Sequence, residues 1–293
     1  MELPEGWTGR KRFFIGTGSF GLLAFLMMFL ALACEVAHAA DDRYAWERGA
    51  IRLGGVYAGF ESDLGLRIGN RKGVKLNGED LLGLEESQFD FQADAYLRLG
   101  RQLRHRLDFT YVRHHRESDE RLNREISVGG FVILPENRVK TELDLELYRL
   151  LYSYSLIQDD RVSLGTGLGT YVVPVRYGFE IGSRSGNGPE IDDVIVPFPA
   201  LFVRTEFQIT PKFNFFSNIA AMYLEFSGYE GTLIDFRIGL EYDLFKNLGI
   251  GLAYESLNVS VDTDEEGEFL EIDFPGDLDF NRQGILLFAK VSF

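Results

Sequence analysis

The chain contains a single cysteine, Cys34, among its 293 residues. It lies in the stretch LALAC, where leucines two and four positions before the cysteine make a poor lipoprotein processing site. We therefore predict that Cys34 belongs to a segment that is removed on export. The mature protein then has no disulfide, so its stability must come from its own architecture.

Basic residues are scarce as well, since 30 Lys and Arg stand against 45 Asp and Glu and give a net charge of −15. A nucleic-acid-binding protein needs a basic footprint, so this balance excludes nucleic acid as a partner. The glycine-rich stretch GTGLGT at 165–170 is no phosphate loop, because no helix follows it. We expect no cofactor, and we expect these glycines to make room for large neighbouring side chains.

Only one run is long and apolar enough for a membrane helix, and its core lies at residues 22–32. The triplet Arg-Lys-Arg precedes this run, and Ala-His-Ala, which ends at Ala39, fits a signal-peptide cleavage site. A membrane anchor is the alternative, because residues 13–33 could just span a bilayer. We predict a signal peptide over 1–39, cleaved near Ala39, and a single domain over 40–293.

The chain is rich in glycine, with 32 residues, and in phenylalanine and tyrosine, with 25 and 13. In LIDFRIGLEYD, every second residue from Ile234 to Tyr242 is apolar, whereas Asp235, Arg237 and Glu241 lie between them. Alternation with a period of two is typical of a β-strand with two different faces. The composition and this pattern predict an all-β chain.

The same alternation recurs along the chain and predicts ten strands. They lie near residues 50–60, 88–100, 105–115, 142–157, 161–179, 198–209, 213–226, 232–243, 248–261 and 282–293.

The connections between these strands alternate in length. RQLR, QDD, TPK and LFKN are short, whereas 61–87, 116–141, 180–197 and 262–281 are long, with SGYEG the one short exception. Short periplasmic turns and long extracellular loops are typical of a transmembrane β-barrel. We predict an antiparallel up-and-down barrel of about ten strands, with 8 and 12 as alternatives. Both termini would be periplasmic, and the last strand would pair with the first.

In such a barrel the apolar faces contact lipid and the polar faces point into the lumen. Charges of both signs on neighbouring strands predict a charge-filled lumen, because an unpaired buried charge is costly. The inward set is Asp90, Asp94, Arg98, Arg106, Asp108, Arg204, Glu206, Asp235, Arg237 and Glu241.

Two strands have further features. In the last strand, Phe293, Val291 and Ala289 form an apolar row that resembles the signal read by the outer-membrane assembly machinery. In TELDLELYRLLYSYSL, the apolar residues change from odd to even positions. A β-bulge near Tyr148, or an upper half of the strand standing clear of the membrane, would account for the change.

Three stretches resemble predicted Gram-negative outer-membrane β-barrel proteins of unassigned function. They are GEDLLGL, RLGRQLRHRLDFTYVRHHRES and FSGYEGTLIDFRIGLEYDLFKNLGIGLAYES. The general architecture is similar to that of small OmpA- and OmpW-like barrels. The resemblance covers most of the mature chain; it implies the barrel fold and little about activity.

Two clusters are candidate sites. His114, His115 and Asp119 lie at the extracellular end of the third predicted strand, where omptin-type proteases use histidine and acidic residues to activate water. The stretch also has the composition of a solvated loop of mixed charge. In DTDEEGEFLEID, the residues Asp262, Asp264, Glu266 and Asp273 approach the spacing of a calcium loop, but strands rather than helices flank it.

These observations predict a non-enzymatic outer-membrane barrel with a structural or surface-interaction role, which long acidic extracellular loops would perform. An omptin-like protease and a narrow pore for small solutes are the alternatives. The expected partners are outer-membrane lipid, lipopolysaccharide and the assembly machinery, and we expect a monomer.

Overall fold

The structure is a computed structural model that describes residues 46–66, 75–77, 84–121, 126–128, 131–133, 138–182, 191–226, 229–263 and 276–293. The predicted signal peptide and Cys34 lie outside the described residues. No helix within these ranges is long and apolar enough to cross a membrane.

The described residues form strands joined by turns. The strands are β1 Gly49–Leu66, β2 Lys75–Asn77, β3 Ser87–Leu99, β4 His105–Arg121, β5 Ile126–Val128, β6 Phe131–Ile133, β7 Arg138–Gln158, β8 Val162–Gly182, β9 Ile191–Thr210, β10 Phe213–Phe226, β11 Tyr229–Phe245, β12 Leu248–Thr263 and β13 Gly276–Ser292.

Ten of these strands close into one antiparallel barrel, in the order β1-β3-β4-β7-β8-β9-β10-β11-β12-β13. The closing pair is β13 with β1, whose register runs from Ala50 opposite Ser292 to Leu66 opposite Gly276. β2 adds to the end of β1, and β5 pairs with β6 in a separate hairpin. The predicted ten-stranded antiparallel barrel is therefore confirmed. The sequence pattern missed the three short strands, which fall in stretches predicted to be loops.

The outer surface of the barrel is apolar over the half nearest the short connections. We call the end with the short connections at 100–104, 159–161, 211–212 and 246–247 the turn end, and the opposite end the loop end. On β12, Leu248, Ile250, Leu252 and Tyr254 point outward and are exposed, and the next outward residue is Ser256. Four alternate residues cover roughly 20 Å along the strand, or about 15 Å along the axis of a barrel whose strands are tilted, so they form the larger part of an apolar band of about 25 Å.

The wall continues beyond this band toward the loop end. On β4, the outward residues Leu107, Phe109 and Tyr111 belong to the band, whereas Arg113 and His115 above them are exposed polar residues. The strands are thus longer than the apolar alternation alone predicts, because their upper parts carry polar residues on the outside.

β7 has no bulge at Tyr148, so the first of the two explanations for its change of phase is wrong. Residues 143 to 155 keep one phase, with every odd-numbered side chain buried inside the barrel. The pairing of β7 with β4 is unbroken, and its register with β8 shifts only between Ser155 and Ile157. The apolar row changes position because Leu143, Leu145 and Leu147 line the interior near the loop end.

Backbone pairing stops early at two seams of the wall. Pairing of β3 with β4 ends at Gln92 opposite Val112, and pairing of β9 with β10 ends at Leu201 opposite Ala221. Beyond Leu201 the sequence PFP places Pro199 and Pro197 at alternate positions of β9. Proline has no N–H to donate to a ladder, which accounts for the second seam.

Candidate functional site: the filled barrel interior

Side chains from all ten strands fill the barrel interior in three layers. The turn-end cluster lies nearest the short turns, and the middle layer crosses the barrel above it. The upper layer lies nearest the loop end. The alternation of each strand dictates this arrangement, since every second side chain must point inward.

In the turn-end cluster, three arginines from different strands converge on Glu206 of β9. Arg98 Nη2 lies 2.6 Å from Glu206 Oε2, and Arg106 and Arg204 also bond this carboxylate. Arg106 binds Asp108 at 2.6 Å as well. Because β3 and β9 stand on opposite sides of the barrel, the bond between Arg98 and Glu206 crosses the lumen.

Glu241 is the second centre of the turn-end cluster. It bonds Arg52 at 2.6 Å and Lys290 at 2.9 Å, and these two cations lie on the paired strands β1 and β13. The Arg52 guanidinium also lies 4.9 Å from the Phe216 ring centroid and 5.6 Å from that of Phe288. Cation–π contacts with buried rings help to compensate for the loss of water around Arg52.

Residues just before β1 cover the bottom of this cluster. Trp46 donates from Nε1 to the carbonyl of Asp159, 2.7 Å away in the turn between β7 and β8, and its ring lies 5.1 Å from the Arg98 guanidinium. Glu47 accepts a hydrogen bond from the Tyr96 hydroxyl at 2.5 Å. Burial raises the pKa of Glu47, but the nearby Lys290 charge and this hydrogen bond outweigh it and lower the pKa to about 2.

Three carboxylates form the middle layer; cations reach two of them across the lumen, whereas Glu255 is held by cations of its two neighbouring strands. Arg149 of β7 bonds Asp235 of β11 at 2.5 Å, and Arg237 of β11 bonds Asp94 of β3 at 2.9 Å. Glu255 accepts from Arg237 at 2.5 Å and from Arg282 at 3.2 Å.

Neutral groups complete the middle layer. Thr110 donates to Asp94 at 2.6 Å, and Tyr171 donates to Asp235 at 2.6 Å. Gln92 donates to Glu255 at 2.9 Å. Each carboxylate thus has several donors, which is the condition for burying charge without a large penalty.

Aromatic rings and glycines fill the remaining space. A Cβ atom added at Gly251 would lie 2.2 Å from the Phe288 ring, and one at Gly239 would lie 2.5 Å from the Phe216 ring. On β8, a Cβ atom at Gly165 would lie 3.0 Å from Arg204 Nη2. At Gly251 and Gly239 a side chain would overlap the buried rings, so glycine makes room for them. At Gly165 a side chain would require the Arg204 guanidinium to shift slightly.

The upper layer is mainly apolar. Its buried side chains are Phe60, Leu145, Leu147, Phe198, Met222, Leu233, Leu257, Val259 and Phe280. Its buried polar groups include His114 and Arg116 of β4 and Asp90 of β3, and His114 Nδ1 lies 2.5 Å from Asp90 Oδ2.

The ten strands form a closed barrel with an apolar outer band and a charged interior, and these features identify the fold. The fold is that of an outer-membrane β-barrel. The structure is similar to the outer membrane protease OmpT from Escherichia coli, with a TM-score of 0.51 and 10% sequence identity, over 84% of this chain and 96% of that one.

More distant likenesses include Ail of Yersinia pestis, in complex with a heparin analogue, and the toluene transporter TbuX of Ralstonia pickettii. Their TM-scores are 0.33 and 0.34, their identities 11% and 9%, and they cover 84% and 85% of this chain and 99% and 90% of their own. No protein-family model matches the chain, and no curated protein sequence matches it.

All ten charged residues predicted to face the lumen of this outer-membrane barrel point inward in the structure, and nine of them are buried; Asp108 is half-buried. The prediction omitted Arg52, Arg149, Glu255, Arg282 and Lys290, which also belong to the interior. Lys290 stands in the polar row of the last strand, so alternation alone could have identified it. The inward position of Arg149 was not predicted, because the change of phase in β7 obscured which row of that strand faces the lumen.

The candidate pair His114 and His115 does not form one site. The two side chains point to opposite faces of β4, as neighbours on a strand must. His114 is buried inside, whereas His115 is exposed outside with its Nδ1 3.7 Å from Asp144 Oδ1. The side chain of Asp119 lies outside the described residues.

The calcium-loop prediction falls largely outside the described residues. Asp262 lies on β12 opposite Asp277 and Glu230, whereas Asp264, Glu266 and Asp273 are not described. Within the described ranges, no group of three or more His, Cys, Asp or Glu residues could hold a metal ion.

The predicted assembly signal lies at the closure of the barrel. Val291 and Ala289 point outward and are exposed. Phe293 donates its N–H to the Gly49 carbonyl at 2.9 Å, and its own carbonyl accepts from Gly49 at 3.2 Å. The last residue therefore takes part in the pairing that joins β13 to β1.

Proposed function

We propose that this protein is a non-enzymatic outer-membrane barrel with a lumen closed to solutes, which acts through interactions at its loop end. The apolar outer band and the fold support an outer-membrane location, and the signal-peptide pattern before Ala39 agrees with it. The orientation we propose places the turn end in the periplasm and the loop end outside the cell.

The observation that carries the closed lumen is the set of charge pairs that cross it. The bonds Arg98–Glu206, Arg149–Asp235 and Arg237–Asp94 join opposite walls at different heights. A continuous water path would have to separate such pairs, and removing one partner of a buried pair costs about 3–5 kcal/mol. Side chains that support one another across the barrel are suited to a rigid scaffold.

A scaffold of this kind presents its upper wall and loops to the surroundings. Above the band the outer face is polar, with Arg113, His115 and Glu117 exposed on β4. We propose that this region contacts lipopolysaccharide and surface partners, and that the protein is a monomer in the membrane.

Planar-bilayer recording of the purified full-length mature protein tests the closed lumen. We expect no large, steady conductance. The double variant Arg149→Ala/Arg237→Ala removes two of the pairs that cross the lumen, so it serves as the comparison and should show a leak. Steady conductance from the unmutated protein would reject the closed lumen and favour the narrow-pore alternative.

We also propose that Phe293 is read by the assembly machinery. Phe293→Ala should lower the amount of folded protein in the outer membrane more than Val291→Ala does, because both lose apolar surface but only Phe293 also stands at the pairing with Gly49 that ends the closing ladder. Equal amounts of the two variants, measured by heat-modifiable migration in gels, would contradict this role.

A further inference from the structure

The seam between β3 and β4 is joined by side chains where the backbone ladder is absent. Above Gln92 and Val112, residues 87–91 of β3 pair only with β1, and residues 113–121 of β4 pair only with β7. This part of the wall therefore depends on other contacts to stay closed.

Two side-chain bonds cross the gap. Asp90 and His114 are the next inward residues above the last backbone pair, and they are joined by the 2.5 Å contact between Nδ1 and Oδ2. Higher up, Arg116 Nη2 donates to the carbonyl of Glu85 at 2.5 Å. The Phe60 ring of β1 packs edge-on against His114, with ring centroids 4.9 Å apart, and lies 4.8 Å from the Arg116 guanidinium.

The hydrogen bond fixes the proton on His114. Asp90 as a carboxylate can only accept, so Nδ1 carries the hydrogen and Nε2 of the neutral ring is a bare acceptor. Nε2 is buried and has no hydrogen-bond partner among the described residues. A second proton would therefore create a buried N–H with no acceptor, which is costly.

The charges around His114 come from several strands. β3 contributes Asp90, β4 contributes Arg116, and Arg282 of β13 and Glu255 of β12 act on the ring through space. The register partner of His114 on β7 is Leu145, which adds no charge. Burial and the Arg282 charge oppose a second proton, whereas Asp90 and Glu255 favour it. Burial is the largest of these effects.

We propose that Asp90 and His114 form a pH-sensitive latch that keeps the seam between β3 and β4 closed while His114 is neutral and releases it when His114 is protonated. The protonated ring gains hydration by leaving the apolar upper layer. No backbone ladder across this seam opposes its movement, although β4 stays paired with β7 and the bond between Arg116 and the Glu85 carbonyl must lengthen as the seam opens. The turn-end cluster and the middle layer lie below the seam and stay in place, so the opening is confined to the loop-end half of the barrel.

The seam between β9 and β10 is a built-in comparison. Its inward side chains next to the last backbone pair are Ala200, Phe198 and Met222, none of which titrates. A general loosening of the barrel at low pH would affect both seams, whereas the latch acts on one.

Distances between spin-label pairs on the full-length mature protein in bilayer nanodiscs test the latch. One pair, Phe89→Cys and Glu117→Cys, spans the β3–β4 seam from exposed outward positions above its last backbone pair; the other, Pro199→Cys and Glu225→Cys, spans the β9–β10 seam from equivalent positions. On going from about pH 7.5 to about pH 5, where histidine gains its proton, the first distance should lengthen by about one strand spacing, ~5 Å. The second distance should not change.

Variants identify the titrating group. His114→Gln keeps a donor toward Asp90 but does not titrate, so the first distance should become independent of pH. His115→Gln changes the exposed neighbour on the opposite face and should leave the response intact. If His114→Gln does not fold, as judged by heat-modifiable migration, His114→Asn takes its place: its amide can donate from near the position of Nδ1, it does not titrate, and it should likewise lose the response. A pH-independent distance in the unmutated seam, a response that survives in His114→Gln, or an equal change at both seams would overturn the latch.

Discussion

The lower and upper halves of this barrel have opposite polarity. On β7, the lower half places Leu150 and Tyr152 outside with Arg149 inside, whereas the upper half places Glu146 outside with Leu147 inside. β12 repeats the change, with apolar residues outside up to Tyr254 and serines and an asparagine outside above it. Along one continuous strand, the outward row is therefore apolar in the half that faces lipid and polar in the half that faces water.

The comparison shows that the surroundings decide which row of an alternating strand is apolar. In lipid, the outer row must be apolar, and the inner row can be charged only if its groups are paired. In water, the arrangement is that of an ordinary soluble sheet, with apolar side chains inside. The crossover from Glu146 and Leu147 to Arg149 and Leu150 marks the upper edge of the band on β7.

The largest effect should follow from removing the centre of the turn-end cluster. Glu206→Ala leaves Arg98, Arg106 and Arg204 without their shared carboxylate, so the free energy of unfolding should fall by about 3–5 kcal/mol. Glu117→Ala, on the exposed upper wall, is the control and should change stability little. Urea unfolding in lipid vesicles measures both, and similar losses for the two variants would contradict the role of the cluster.

A second variant tests whether the upper half has a soluble-type core. Leu145→Ala removes a buried inward side chain from the upper layer and should cost about 2–5 kcal/mol, as core leucines do. Leu150→Ala, five residues along the same strand but facing lipid, creates no cavity in a packed interior and should cost less. Equal costs would show that the upper layer is not a packed core.

Arginine substitutions on the outer face of β12 locate the edge of the band. Leu252→Arg places a cation in the apolar band and should destabilise the protein by about 2–4 kcal/mol. Asn258→Arg, three outward positions higher, should cost less than about 1 kcal/mol. A large cost at both positions would mean that the membrane reaches above Ser256.

The smallest effect concerns Glu47, which lies outside the strands and is partly exposed. Because its pKa in the folded protein is lowered to about 2 from an ordinary value of 4.5, its contribution is present at neutral pH and is lost as pH falls between these values. Glu47→Gln should destabilise the protein by no more than about 1 kcal/mol at pH 7, since Lys290 retains Glu241 and Asp243. The difference in the free energy of urea unfolding between the unmutated protein and Glu47→Gln should shrink at acid pH. A difference that stays constant would contradict a contribution from the Glu47 charge.

Much of this architecture follows from alternation and connection lengths. They predicted the ten strands, the closed barrel and ten of the inward charges, because a period of two fixes which side chains share a face. Alternation alone does not indicate whether lipid or water surrounds each half of a strand. For that reason Leu143, Leu145 and Leu147 left two explanations open, a bulge or an upper half of the strand clear of the membrane, and the inward position of Arg149 was missed.

The end of the ladder between the neighbouring strands β3 and β4 could not be predicted from the sequence for another reason. His114 and Asp90 lie 24 residues apart, and nothing in either strand indicates that backbone pairing ends just below them. The second seam had a local signal in Pro197 and Pro199, which mark where β9 cannot donate to a neighbour.

The position of Trp46 has a practical consequence. The chain has two tryptophans, and the other, Trp7, belongs to the segment predicted to be removed on export. In the mature protein the Trp46 indole would be the only one, held against the Arg98 guanidinium at the turn-end mouth. Its fluorescence then reports on the turn-end mouth without an engineered dye. The degree of quenching by a soluble quencher added on the turn-end side of a vesicle would measure how accessible that mouth is to water.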